Sequence, residues 1–174
     1  MPEPVTSAAP FFGKYRGLVV QNVDPLLRGR LLVSVPEVLG PDPSGWAEAC
    51  VPLAGAPGSP MGVYVLPPVG AGVWVEFERG DPDLPIWSGC RWGSAADVPP
   101  VAAEPGSTSI VLQTPGRSSV VISDGAGGGI TITSASGATV VVDDSGIHLA
   151  NGHGAVVALT GPTVDVNNGA LTVT

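Results

Sequence analysis

Cations are scarce in this chain. Seven Lys and Arg stand against fifteen Asp and Glu, for a formal net charge of −8. Nucleic-acid binding draws most of its affinity from cationic contacts to phosphate, so this balance argues against a DNA or RNA partner. It argues equally against an anionic membrane surface as an equilibrium partner. Charge of either sign is low, at 13% of residues. Mean hydropathy is +0.34, apolar for a monomer but natural for an obligate oligomer. Even so, no apolar run reaches about 18 residues, so no membrane span is encoded. The start, Met1 to Pro10, has neither a basic stretch nor an apolar core, and it reads as lacking a secretion signal. Two cysteines, Cys50 and Cys90, do not make a disulfide framework in a chain of 174 residues.

Aromatic residues are missing from one region altogether. All four Trp, two Tyr and three Phe precede Gly93. From Ser109 to Thr174 there is none, and Arg117 is the only Lys or Arg. Val, Ile, Leu, Thr, Ser, Ala, Gly, Asn and Asp fill this tail. Its apolar residues recur two apart: Ile110/Leu112, Val120/Ile122, Ile130/Ile132, Val140/Val142, Ile147/Leu149, Val157/Leu159, Val164/Val166 and Leu171/Val173. Period two with β-branched residues is the pattern of short strands. Each strand ends in a corner of Gly, Asn, Asp or Pro. Strands with a thin apolar stripe and no large side chains cannot close a core alone. The spacing predicts an intertwined three-chain β-helix, or β-prism, in which each unit forms one side. Ile130, Ile132, Ile147, Leu149, Val164 and Val166 then face the shared axis as the trimer core.

The rest of the chain divides around this needle over 109–174. Residues 1–10 read as a flexible N-terminal arm, interrupted by Pro2, Pro4 and Pro10. Residues 94–108, rich in Pro and Ala, read as a linker. Between them, residues 11–93 form a head with five expected strands: Arg16–Val23, Gly29–Pro36, Ala47–Leu53, Gly72–Glu78 and Pro85–Trp92. Val63–Leu66 is a further short extended piece. Turn signals separate them, and no segment has a helical period. Five strands in this length suit a small closed barrel such as an OB-fold. The fold class is therefore all-β, an N-terminal OB-fold barrel followed by the trimeric needle.

Ordered motifs in the head carry a resemblance. YRGLVVQNVDPLLRGRLLVSVPEV at 15–38 is followed by GWAEACVPLAG at 45–55 and LPPVGAGVWVEFERGDPDLPIWSGCRW at 66–92. Gly17–Val19, Asp24-Pro25, Gly29-Arg30, Pro36, Gly45-Trp46-Ala47, Leu66–Gly70 and Phe77–Pro85 fall in the order of a known family. The head resembles the OB-fold of contractile injection system central spike proteins, of the phage baseplate assembly protein V and VgrG-like type. The tail, with GGGITITSASGATVVVDDSGIHLAN, looks like the needle of that family. The resemblance implies a structural homotrimer, not an enzyme, that caps an inner tube and punctures a target envelope. It implies an inner-tube or hub adaptor protein at the OB-fold end. It also implies synthesis in a bacterial cytoplasm and assembly into a phage tail-like particle. Ala71-Gly72 stand where family turns often carry acidic residues. Neither a tube-like adaptor domain nor a lysozyme-like insert is expected. Some small spikes end in a His-x-His iron site, whereas only His148 and His153 occur here, five apart. A separate PAAR-type tip protein is therefore expected at Leu171, Val173 and Thr174.

Chemical readings of other residues are weaker than structural ones. Gly80-Asp81-Pro82-Asp83 reads as a Pro-set turn in preference to an acid catalyst. Asp143-Asp144 and Asp165 to Asn168 read as corners in preference to calcium ligands, which number six to eight oxygens. His148, between Ile147 and Leu149, points away from their face. The Gly125–Gly129 run lacks the Lys of a phosphate loop. Cys50 and Cys90 read as buried thiols, and the four Trp as core and interface residues. No catalytic, cofactor or metal residue is expected. Two other classes remain: a polysaccharide-processing β-helix enzyme, which needs clustered carboxylates, and an OB-fold nucleic-acid module, which needs a basic face.

Overall fold

The computed structural model describes residues 10–102, 108–125 and 127–173. The expected arm lies almost wholly outside these residues. The chain forms two compact units, Met1–Gly93 and Ser94–Thr174, each organised around its own sheet.

The first unit holds β1 (Tyr15–Gln21), β2 (Leu32–Ser34), β3 (Glu48–Ala49), β4 (Gly72–Phe77) and β5 (Pro85–Arg91) in one sheet, ordered β2-β1-β4-β5-β3. β1 pairs antiparallel with β2 and β4, and β3 pairs parallel with β5. The ring closes just before β3. Leu31 and Ala47 exchange N–H···O=C bonds of 3.1 and 2.8 Å, and Ser44 N–H donates to Val33 at 2.8 Å. Alternation along β1 and β4 sends Val19, Val73, Val75 and Phe77 inward to meet Leu31, Val33, Val35, Ala47 and Trp87. β-branched residues dominate, as a tight barrel requires. Tyr15 and Phe11 close one end against Phe77, with ring centroids 5.6 and 6.3 Å from it.

Two of the expected strands are much shorter than their apolar pattern. In the third segment the ladder with β5 takes in only Glu48–Ala49, and Pro52 beyond it lacks the N–H that a ladder needs. One helical turn, α1 (Pro36–Leu39), was absent from the expectations. Pro36 presets its φ at the helix start, and Gly40 ends it at φ 64°. A four-residue helix is too short to show a period.

One buried charge orders the loop between β1 and β2. Asp24 is 5% exposed. Its carboxylate accepts the main-chain N–H groups of Leu26 and Arg28 at 2.9 and 2.8 Å. It also accepts Arg30 Nη2 at 2.7 Å. The Arg30 guanidinium lies 5.5 Å from the Trp46 ring centroid. Beside it, Trp87 Nε1 donates to the Gly29 carbonyl at 3.0 Å. The Arg30 side chain, then the loop N–H groups, hold the Asp24 carboxyl well below the usual range against the opposing pull of burial.

The second unit is an antiparallel meander of eight strands in the order β13 to β6. These are β6 (Ser109–Gln113), β7 (Ser119–Ser123), β8 (Gly129–Thr133), β9 (Thr139–Asp143), β10 (Gly146–Ala150), β11 (Val156–Thr160), β12 (Thr163–Val166) and β13 (Leu171–Val173). Every expected apolar pair falls on a strand. Each strand pairs with its own neighbours in sequence, so one chain makes one continuous sheet. Before β6, Ala95–Asp97 and Pro100–Ala102 form 3₁₀ turns, the first held by a capping box from Ser94 to Asp97. Residues 103–107 of the expected linker lie outside the described residues.

The meander turns differ on its two edges. Loops 114–118, 134–138, 151–155 and 167–170 share one edge, the long-loop edge; the turns after Ser123, Asp143 and Thr160 share the other, the tight-turn edge, where the last two are two residues long and the first, 124–128, is five. Three of the long loops are built alike. Thr114, Ser134 and Asn151 donate N–H to the carbonyls of Ser118, Ala138 and Ala155 at 2.9, 2.9 and 3.1 Å. Their side-chain oxygens accept the N–H groups of the same three residues. The fourth loop position is left-handed in each, at Arg117 (φ 66°), Gly137 (φ 87°) and Gly154 (φ 103°).

Two contrasts test this account. A Cβ on Gly146 (φ 138°) would meet the Leu159 carbonyl oxygen, whereas one on Gly137 meets nothing within 4 Å. Gly137→Ala should cost about 1 kcal/mol of backbone strain, and Gly146→Ala distinctly more, read by chemical denaturation. Asp24 gives a pH signature. Its folded pKa is depressed, so its contribution is complete above the unfolded value of 3.8 and is lost as pH falls below it. Asp24→Asn should flatten the decline in head stability between pH 5 and 2. It should also lower stability at pH 7 more than Lys14→Ala does. The exposed Lys14–Glu76 pair, at 3.1 Å, contributes about 0–1 kcal/mol.

Candidate assembly surfaces

Cross-strand register puts the tail's apolar residues on one face in two ladders. Ile110, Ile122, Ile130, Val142, Ile147, Leu159, Val164 and Val173 follow one another as partners across the sheet. Leu112, Val120, Ile132, Val140, Leu149, Val157, Val166 and Leu171 form the second ladder in the same way. Period two makes this outcome compulsory once the register is set, because a one-residue slip would invert the face. Nothing among the described residues covers it. Ile130, Ile132, Ile147, Leu149 and Val164 are 36–45% exposed, and Val166 is partly buried. Leu171 and Val173 lie on the outermost strand and are more open still, at 60% and 57%. Thr174 lies outside the described residues.

The face is not flat. A groove of about 550 Å³ runs along the long-loop edge. Ile132, Val140, Leu149 and Val157 floor it, and loop residues Ser134 and Asn151 rim it. The opposite face is of another character. Its central column runs Val111, Val121, Thr131, Val141, His148, Ala158 and Asp165. His148 does point away from Ile147 and Leu149. Its Nε2 is 2.8 Å from Ser145 Oγ, and Ser145 Oγ donates to Asp143 at 2.6 Å. That hydroxyl, and the Ser145 N–H, hold the Asp143 carboxyl below its usual range. The serine lies between acid and imidazole, so its proton goes to the carboxylate. This is a turn clamp, not the nucleophile–base–acid order of acyl transfer.

The head's chemistry-bearing motifs are also structural. Asp83 N–H donates to Asp81 Oδ1 at 3.0 Å, and Leu84 N–H to the Asp81 carbonyl, making the Gly80–Asp83 turn an Asx turn. Trp87 alone of the four Trp is in the core; Trp46 and Trp74 are partly buried, and Trp92 is 65% exposed. Cys50 and Cys90 are free and exposed, a correction to the expectation that both are buried. Cys50 falls just beyond the shortened β3, and Cys90 follows the Gly89 irregularity of β5, so neither side chain enters the barrel. Partial desolvation still pushes the Cys90 thiol up. No cluster of three metal-ligating side chains occurs among the described residues. Sequence reading took Asp24-Pro25 for a plain turn. The signal it passed over was the six-residue step from Asp24 to Arg30.

Comparison with known proteins agrees with both halves. Residues 15–92 match the type VI secretion system/phage-baseplate injector OB domain. Residues 109–172 match the phage baseplate V C-terminal trimerisation domain. No curated protein matches the chain. Both matched domains are structural modules, and the second carries its trimeric state with it. The apolar sheet face, the closed barrel with its Asp24–Arg30 loop and these two matches, in this order, place the chain in the phage baseplate V family, as a homotrimeric structural component of a phage tail-like particle and not an enzyme.

Proposed function

We propose that three copies form a rigid central spike that caps the inner tube of a contractile particle and is driven through the target envelope. The observation that carries this reading is the uncovered apolar face of the tail. Two apolar residues on every strand need a cover of equal length, and two further copies of the same sheet supply one. Ile130, Ile132, Ile147, Leu149, Val164 and Val166 are then the core around the threefold axis. Continuous backbone pairing, with short turns and no long mobile loop between strands, gives the stiffness that puncture requires. The force comes from the sheath, so the spike needs no chemistry of its own. The head, residues 11–93, meets a hub or inner-tube adaptor. Exposed apolar side chains there, including Val23, Leu27 and Tyr64, support a partner at that end. A PAAR-type tip protein seats on the exposed Leu171 and Val173.

Sedimentation tests the assembly. The chain is 17.4 kDa, and the expected species is three times that mass. A folded monomer at micromolar concentration would sink the reading. Ile132→Asp places three carboxylates near one axis, where desolvation and mutual repulsion both oppose ionisation. Soluble trimer should be lost. Thr131→Asp, on the opposite face, should leave it intact. Co-expression with a tip protein should give a three-to-one complex that is lost on deleting residues 170–174.

A further inference from the structure

The two edges of the tail sheet carry opposite charge. Three of the four tail aspartates, Asp124, Asp143 and Asp144, lie on the tight-turn edge. Arg117, the only Lys or Arg of the tail, lies on the long-loop edge with His153. That edge has no acidic residue in its four loops. Arg117 has no ion-pair partner among the described residues, and neither has Asp124. Both are exposed. They cannot meet within one chain, because β7 (Ser119–Ser123) holds them on opposite edges, about 17 Å apart for five residues.

Arg117 also sits where a side chain is disfavoured. Its φ is 66°, and the matching positions of the two sister loops are Gly137 and Gly154. A left-handed backbone is strained for a residue other than glycine. The loop itself gives no polar return for it, since the guanidinium has no ion pair among the described residues.

We propose that Arg117 of one copy pairs with Asp124 of the next, in a threefold ring that sets which edges meet and at what height. The proposal rests on the three-chain reading. Threefold closure is heterologous: it brings the long-loop edge of each sheet against the tight-turn edge of its neighbour. The same strands then share a level. Arg117 follows β6 and Asp124 follows β7, so the two lie one strand spacing apart, about 4.8 Å. An extended arginine spans that step. Shape agrees with charge, because the groove along the long-loop edge faces the neighbour's other ladder, Ile130, Ile147 and Val164. A sheet slipped by one strand would keep its apolar contacts almost unchanged, since every layer is Val, Ile or Leu. Threefold closure already sets the same strands at one level, and charge at the edge adds a cost to any ring in which one sheet has slipped.

A charge-reversal cycle tests this on the full chain. Arg117→Asp and Asp124→Arg each set like charges together three times over. Each should raise the midpoint concentration for trimer dissociation by roughly tenfold and reverse its salt dependence, because added salt screens the new repulsion. The double reversal should return to within about threefold of the natural chain. Arg117→Gln and Asp124→Asn, milder changes, should each remove the salt-sensitive part alone, with the circular dichroism spectrum unchanged. If the natural chain is a trimer and the double reversal is no better than its two single changes combined, the pairing is wrong and the trimer stands. If the natural chain is a monomer, the three-chain reading fails and the ring with it.

Discussion

The apolar face of the tail is the constraint from which the rest follows. Twelve of its Ile, Leu and Val side chains remain 36–66% exposed in a single chain. Completing their burial gains roughly 1 kcal/mol each at about 25 cal/mol per Å². That is on the order of 10 kcal/mol per chain, as an upper estimate because unfolded chains are partly compact. Bringing chains together costs on the order of 4–15 kcal/mol per association step. Three faces burying one another supply a term of the size that two such steps need, whereas a lone sheet leaves it unrealised. Assembly is therefore part of folding for this half of the chain, and the trimerisation module that residues 109–172 match is what such a face demands.

The head solves a different problem. Its barrel is small and its core is mostly Val, so a long loop between β1 and β2 needs another anchor. Asp24 supplies it by binding main-chain N–H groups and the Arg30 side chain from a nearly inaccessible position. Trp46 covers the guanidinium, and Trp87 reaches the adjacent Gly29 carbonyl. The motif residues that mark the family in sequence are thus neighbours in space. They hold a loop and do not face a substrate.

How much of this was legible depends on the length of the signal. All eight tail strands were readable, because Val, Ile and Leu at period two leave one register and one face. The meander was not readable. Alternation states which side a residue faces, but not whether the next strand pairs beside it or turns a corner onto another chain. In the head, β1, β4 and β5 emerged near their expected bounds. β3 shrank to two residues because apolar content does not guarantee a ladder next to Pro52. α1 was invisible at four residues. Cys50 and Cys90 were misread because composition ranks cysteine as buried, while their places beside a shortened strand and a Gly89 bulge decide otherwise. Asp24 looked like turn punctuation, since its role depends on Arg30, which only the closed loop brings back to it.

The absence of aromatics beyond Gly93 now has a physical account. In the three-chain reading, every layer of the needle receives two inward side chains from each of three faces. A residue enlarged by mutation is enlarged three times at one height. Overpacking costs about 1–3 kcal/mol per site even when it occurs once. Val, Ile and Leu fill such a layer with few rotamers, and β-branched residues suit the pleated backbone that carries them. Uniform layers have a drawback, however. They make neighbouring heights nearly equivalent, and apolar packing alone then specifies the axis better than the position along it. Register must come from features that occur once, and the tail has few. Two of the turns are only two residues long, the layers vary only between Val and Ile or Leu, and the single cation stands at a strained position on one edge. A needle built from so few residue types depends on those exceptions to be one structure and not several.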